Sequence, residues 1–169
     1  MPDMNPAQTA DNGTTPQITL RRIALEDADA AAALSVQLGY EATGDELRER
    51  ITRLSNSANS QVVFVACLTD GSEPANSGER LVGWIEAAVT YHLQSEPFVL
   101  LGGLVVQDGL RGLGIGRKLC EQVETWTREQ GIRVLRVTSR STRLDAHRFY
   151  LRDGYRETKT SKVFEKIFL

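Results

Sequence analysis

Leu104-Val105-Val106-Gln107-Asp108-Gly109-Leu110-Arg111-Gly112-Leu113-Gly114-Ile115-Gly116 decides how this chain folds. An apolar run stops at a short polar turn. Three glycines at alternate positions, Gly112, Gly114 and Gly116, then lead into an amphipathic stretch. The pattern predicts a strand feeding a glycine-rich helix start. Such a start exposes backbone N–H groups without partners inside the helix, at the positive end of its dipole. That arrangement suits a phosphate or diphosphate group, and Arg111 and Arg117 flank it with positive charge.

Three glycine-rich loops compete for this segment. A P-loop needs Gly-Lys-Ser/Thr after four spacer residues; here Lys118 lies between Arg117 and Leu119, so that reading fails. The dinucleotide fingerprint Gly-x-Gly-x-x-Gly fails too, because its third glycine falls on Arg117 counting from Gly112 and on Leu119 counting from Gly114. It also belongs to a first βαβ unit, whereas this loop comes late in the chain. The pattern that fits is Arg-x-x-Gly-x-Gly after an apolar strand, as Arg111, Gly114 and Gly116. With it the chain resembles the GNAT acyltransferase superfamily, whose members bind acetyl-CoA through this segment. A second stretch, Ala146-His147-Arg148-Phe149-Tyr150-Leu151-Arg152-Asp153-Gly154-Tyr155, is similar to the family's other signature, a helix ending in Phe-Tyr followed by Gly-Tyr. The two stand in the family's order and separation, and the resemblance spans residues 17–169, strongest over 99–156.

Length and composition bound the rest. The 169 residues give room for one domain with a real core. A net charge of −2 argues against generic binding to nucleic acid or an anionic membrane, which needs a basic excess. No apolar stretch approaches the ~20 residues that span a bilayer. Pro2, Asp3, Asn5 and Pro6 stand where a signal peptide needs a basic then apolar run, so a cytoplasmic location is expected. The two cysteines, Cys67 and Cys120, sit in apolar surroundings and read as reduced core residues. His92 and His147 are isolated, with no metal-ligand spacing, and no metal is expected.

Residues 1–16 read as a flexible tail and 17–169 as the N-acetyltransferase (GNAT) domain. The spacing predicts a strand at 17–23, an alanine-rich helix at 26–38 closed by Gly39, and a second helix opened by the capping box Thr43-Gly44-Asp45-Glu46. Strands follow at 62–68, 81–93 and 98–106, with a long loop at 69–79. Helices at 114–130 and 144–153 bracket a strand at 133–139. Gly154 closes the last helix, and strands near 155–160 and 162–168 finish the chain. The fold class is α/β (α+β), with a mixed, twisted sheet of about seven strands and about four helices on both faces. An exposed final strand is expected to permit pairing with a second copy, a possible homodimer.

Paired glycines at 102 and 103 inside an apolar strand mark a bulge or a close backbone approach. The resemblance implies that this strand splays from its neighbour. Backbone groups of Leu104, Val105 and Val106 then bind the pantetheine arm, and the loop Arg111, Gly112, Leu113, Gly114, Ile115, Gly116 and Arg117 holds the diphosphate. It also places Tyr150 at the family's general-acid position, where it would protonate the leaving thiolate. Glu86 shares strand parity with Val82, Trp84 and Ala88, an inward-looking face where a carboxylate is costly unless paired or functional. It is the candidate base, with Tyr91 and His92 as weaker pocket candidates. Arg143 stands where the family often has a cofactor-contacting Asn, so it meets either a CoA phosphate or an acidic substrate group. His147 and Arg148 read as solvated helix residues.

The function these features imply is direct transfer of an acetyl group from acetyl-CoA to a primary amine of a small molecule, without an acyl-enzyme. Polyamines, amino acids, aminoglycosides and other xenobiotic amines all qualify as acceptors. A protein or peptide N-acetyltransferase and a non-enzymatic acyl-CoA sensor are the alternatives.

Overall fold

β3 (Arg80–His92) and β4 (Ser95–Val106) form a long antiparallel hairpin that supports everything else in the first unit. β1 (Gln17–Arg22) and β2 (Gln61–Thr69) extend the sheet from β3, and β5 (Leu135–Val137) stands beside β4, in the order β1-β2-β3-β4-β5. Neighbours from β1 to β4 are antiparallel. The computed structural model describes residues 17–57, 59–69 and 78–168. The tail expected over 1–16 and most of the loop expected over 69–79 lie outside them. The chain falls into two compact units that part between Arg136 and Val137.

The residues from Val62 to Cys67 are all buried, as their unbroken apolar run predicts for a strand covered on both faces. The cover comes from α1 (Ala28–Ser35) on one face and α3 (Ile115–Glu129) on the other. Adjacent strand residues point to opposite faces. A Cβ added at Gly83 would lie 3.3 Å from Leu119 of α3, whereas the neighbouring Trp84, like Leu38, packs against the cluster that holds Leu34 of α1. Ile115, Leu119, Val123 and Trp126 are the buried stripe of α3, each 2% exposed or less. Burying each is worth about 1.5–3 kcal/mol, so this stripe fixes where the helix begins.

The helix expected over 26–38 is α-helical only from Ala28 to Ser35, flanked by 3-10 turns at Leu25–Asp27 and Val36–Leu38. Asp27 tightens the first of these. Its carboxylate accepts the Ala24 N–H at 2.8 Å and holds the Arg21 guanidinium through two hydrogen bonds of 2.7 and 2.9 Å, tying the helix to β1. α2 (Gly44–Ser55) starts at the expected capping box: Thr43 Oγ1 accepts the Glu46 N–H and Glu46 accepts the Thr43 N–H.

The second unit contains α4 (Leu144–Arg152). Gly154 closes it with φ +89°, and the Tyr155 N–H returns to the Tyr150 carbonyl at 3.0 Å. The two strands expected over 155–160 and 162–168 are not formed. Residues 156–168 are exposed throughout, Val163, Phe164, Ile167 and Phe168 among them. An apolar pattern becomes a strand only when an edge accepts its hydrogen bonds, and these residues have no ladder partner among the described residues. The described sheet therefore has five strands instead of about seven, and the final strand on which pairing with a second copy rested is absent.

Candidate active site

The bulge read from the glycine pair is present. Glu86 of β3 faces Gly103 while Ala87 faces Leu101, which leaves Gly102 as the extra residue of β4. Gly103 is held to glycine by packing: an added Cβ would lie 2.9 Å from the Trp84 ring. Beyond the bulge, the Gln107 N–H donates to the Val82 carbonyl at 2.7 Å. Antiparallel pairs alternate, so Gln107 and Val105 direct their amides to β3 while Leu104 and Val106 direct theirs away. β5 has three residues against the twelve of β4, and most of that outer edge has no strand beside it among the described residues.

The loop after β4 delivers the chain to α3. Gly112 and Gly114 have φ of +86° and +79°, a left-handed conformation that only glycine adopts freely, and nothing lies within 4 Å of a Cβ built on either. Gly114 is the N-cap of α3 and gives no side-chain cap; the first turn carries no acidic residue. The first helical hydrogen bond runs from Lys118 N–H to Gly114 carbonyl at 3.0 Å, so the amides of Ile115 and Gly116 precede the intrahelical ladder. Ile115 itself is 1% exposed: its side chain belongs to the core and only its backbone faces the loop. Leu113 is exposed. The flanking charges are less available than the sequence suggests. Arg111 pairs with Asp108 at 2.8 Å and Arg117 with Glu121 at 3.0 Å, all on the exposed surface.

Glu86 is placed differently from its expected inward face. β3 carries its own extra residue: Cys67 faces Leu81 and Ala66 faces Gly83, so Val82 is skipped and leaves the face that Trp84 and Glu86 still share. Leu81, not Val82, shares the cluster that includes Trp84. Glu86 reaches solvent, with its carboxylate over the β4 bulge, 3.5 Å from a Cβ built at Gly102. The protein around it still strips hydration from the charged form and raises its pKa above the ordinary carboxylate range. No ion pair or hydrogen bond engages it among the described residues.

Tyr91 is exposed, and His92 meets the Phe98 ring edge-on at 5.3 Å while Arg136 covers that ring at 3.9 Å. His92 therefore serves hairpin packing. In the second unit, Tyr150 lies on α4, half-buried, with its ring edge-to-face against Phe149 and Tyr155 at 5.2 and 5.3 Å. Arg143 is the N-cap of α4 and accepts the His147 N–H. His147 also contacts the Arg140 carbonyl at 3.0 Å, and Arg148 pairs with Asp145. Two residues at the site carry no motif that would reveal them, Gln37 and Trp84. Gln37 accepts the Asp108 N–H at 3.0 Å and Trp84 backs the bulge. Among the described residues no three His, Cys, Asp or Glu side chains gather as a metal site requires, and no helix is long and apolar enough to cross a membrane.

Residues 28–155 match the profile of the acetyltransferase (GNAT) family. The chain belongs to that family. Membership makes it an N-acetyltransferase that uses acetyl-CoA. It is 33% identical over 141 residues to the aminoglycoside N(6')-acetyltransferase type 1 of Stenotrophomonas maltophilia, covering 81% of this chain and 86% of that one. It is 29% identical over 149 residues to the aminoalkylphosphonate N-acetyltransferase of Salmonella typhimurium, covering 85% and 88%. A solved GNAT structure, an aminoglycoside N-acetyltransferase in complex with CoA, superposes with a TM-score of 0.75 at 18% identity, over 90% of this chain and 96% of that one. At that identity the likeness is one of fold.

Proposed function

We propose that this chain, as one domain over residues 17–169, acetylates a primary amine of a small molecule, and that the start of α3 anchors the coenzyme. One observation carries the reading: a helix start built by a left-handed glycine, without a side-chain cap or first-turn acid, leaves its amides to an outside anion. The relatives named for aminoglycosides and aminoalkylphosphonates support a small amine over a peptide as acceptor.

When bound, acetyl-CoA supplies an acyl group activated as a thioester. The chain's own groups do the rest. An outward amide of β4, at Val106 or Leu104, donates to the acyl carbonyl and stabilises the charge that develops there. Glu86, directly or through water, takes a proton from the acceptor ammonium so that its nitrogen can attack. The C–N bond forms, the C–S bond breaks, Tyr150 gives its phenolic proton to the departing thiolate, and the proton shed by the new amide nitrogen restores the phenol through solvent. The raised pKa of Glu86 keeps part of its population protonated above the usual carboxylate range, so the rate should rise with pH until that proton is lost. Glu86→Gln should remove this limb of the pH profile.

The deciding experiment records thiol release from acetyl-CoA against a panel of aminoglycosides, polyamines, aminoalkylphosphonates, amino acids and peptides. Turnover with a small amine supports the proposal. Acetylation of peptides in preference to free amines would replace it with a protein acetyltransferase, and coenzyme binding without any turnover would replace it with a sensor.

A further inference from the structure

We infer that Gln37 is a positioning residue for the diphosphate loop, acting through the backbone of Asp108; this rests on the coenzyme reading above. β4 leaves the sheet at Val106. The Gln107 amide is committed to the Val82 carbonyl, and the Gln107 side-chain oxygen accepts Arg80 Nη1–H at 2.7 Å. The next amide, Asp108 N–H, donates to Gln37 Oε1 at 3.0 Å from a point 71 residues upstream. Asp108 in turn holds Arg111 through its carboxylate, and Leu110 N–H returns to the Gln107 carbonyl at 3.1 Å. Past that point Gly109, Gly112 and Gly114 all have positive φ with nothing near a built Cβ.

A glycine-rich loop has many conformations open to it, and only those that present the α3 amides together can hold a diphosphate. Restraint at the root of the loop narrows that set. Gln37 is suited to supply it because its own turn is fixed. The Gly39 N–H bonds the Val36 carbonyl at 2.9 Å, the Tyr40 N–H bonds the Ser35 carbonyl at 3.2 Å, and Leu38 packs against the same core cluster as Trp84, 4.0 Å from a Cβ built at Gly103. One 3-10 turn from the first third of the chain thus touches the β4 bulge through Leu38 and the loop root through Gln37. Nothing in the glycine motif itself would reveal this dependence.

The test is Gln37→Met, which keeps the side-chain length and removes the acceptor. Coenzyme A affinity measured by calorimetry should fall about fivefold, in keeping with loss of a single hydrogen bond that orders the site. Turnover of S-acetylpantetheine, which has the thioester arm and no diphosphate, should be unchanged, as should the melting temperature. By NMR, the Asp108 amide should exchange faster in the variant than in the wild type. Unchanged coenzyme affinity in the variant would overturn the inference, and so would a loss of S-acetylpantetheine turnover equal to the loss of coenzyme A affinity, which marks a general structural role. A wild-type protein that does not bind coenzyme A would instead bring down the coenzyme reading itself.

Discussion

Two helices of the first unit begin in opposite ways. α2 closes its own N-terminus: Thr43 and Glu46 exchange hydrogen bonds, and Asp45 and Glu46 put negative charge on the dipole. The hydrogen bonds to Thr43 hold the Glu46 carboxyl below its ordinary pKa, the mark of an anion already in place. α3 has none of this. Its cap is Gly114, its first turn carries no acid, and its two nearby arginines are occupied by carboxylates outside the turn. A start satisfied from within serves stability; one left open is suited to an outside anion.

Four substitutions probe this contrast. Tyr150→Phe alters neither start and separates holding from chemistry: kcat should fall about 100-fold with coenzyme affinity unchanged, as for loss of a general acid. An unaltered kcat removes Tyr150 from the reaction. Gly114→Ala forces an L residue into left-handed backbone at a cost of about 1–2 kcal/mol. The space around it is open, so this cost is one of backbone conformation. A loop that relaxes to escape it should bind coenzyme A about tenfold more weakly. Gly116→Asp gives α3 the first-turn acid that α2 has; the fold should hold while affinity drops about threefold, given ~0.3–1 kcal/mol for a charge at a helix end. Thr43→Ala removes the cap of α2 and should cost about 1 kcal/mol in denaturant-measured stability with no effect on coenzyme binding. If Thr43→Ala weakened the coenzyme as much as Gly116→Asp, the contrast would collapse.

Local chemistry made much of this readable from sequence. Thr43 and Glu46 announce their capping box because both partners lie within four residues, and Gly154 closes α4 for the same reason. Gly102 and Gly103 mark their bulge because glycine is out of place in a strand interior. What failed depends on distant partners. Val82 leaves the face that Trp84 and Glu86 share because it is an extra residue, defined by the pairing of its neighbours with Cys67 and Ala66, and nothing about a valine advertises it; Glu86 keeps that face but is exposed. Gln37 is invisible for the same reason, its role set by an amide 71 residues away. Residues 155–168 have alternation enough for strands, but a ladder also needs an edge to receive it.

Cys67 and Cys120 are both fully sealed from water, and the surrounding bulk pushes the Cys67 thiol up to about 11. A disulfide dye in the cuvette will consequently register sulfhydryl liberated by turnover and leave the catalyst unlabelled, which permits continuous colorimetric recording. Alkylating reagents should likewise leave activity intact for as long as the polypeptide stays folded.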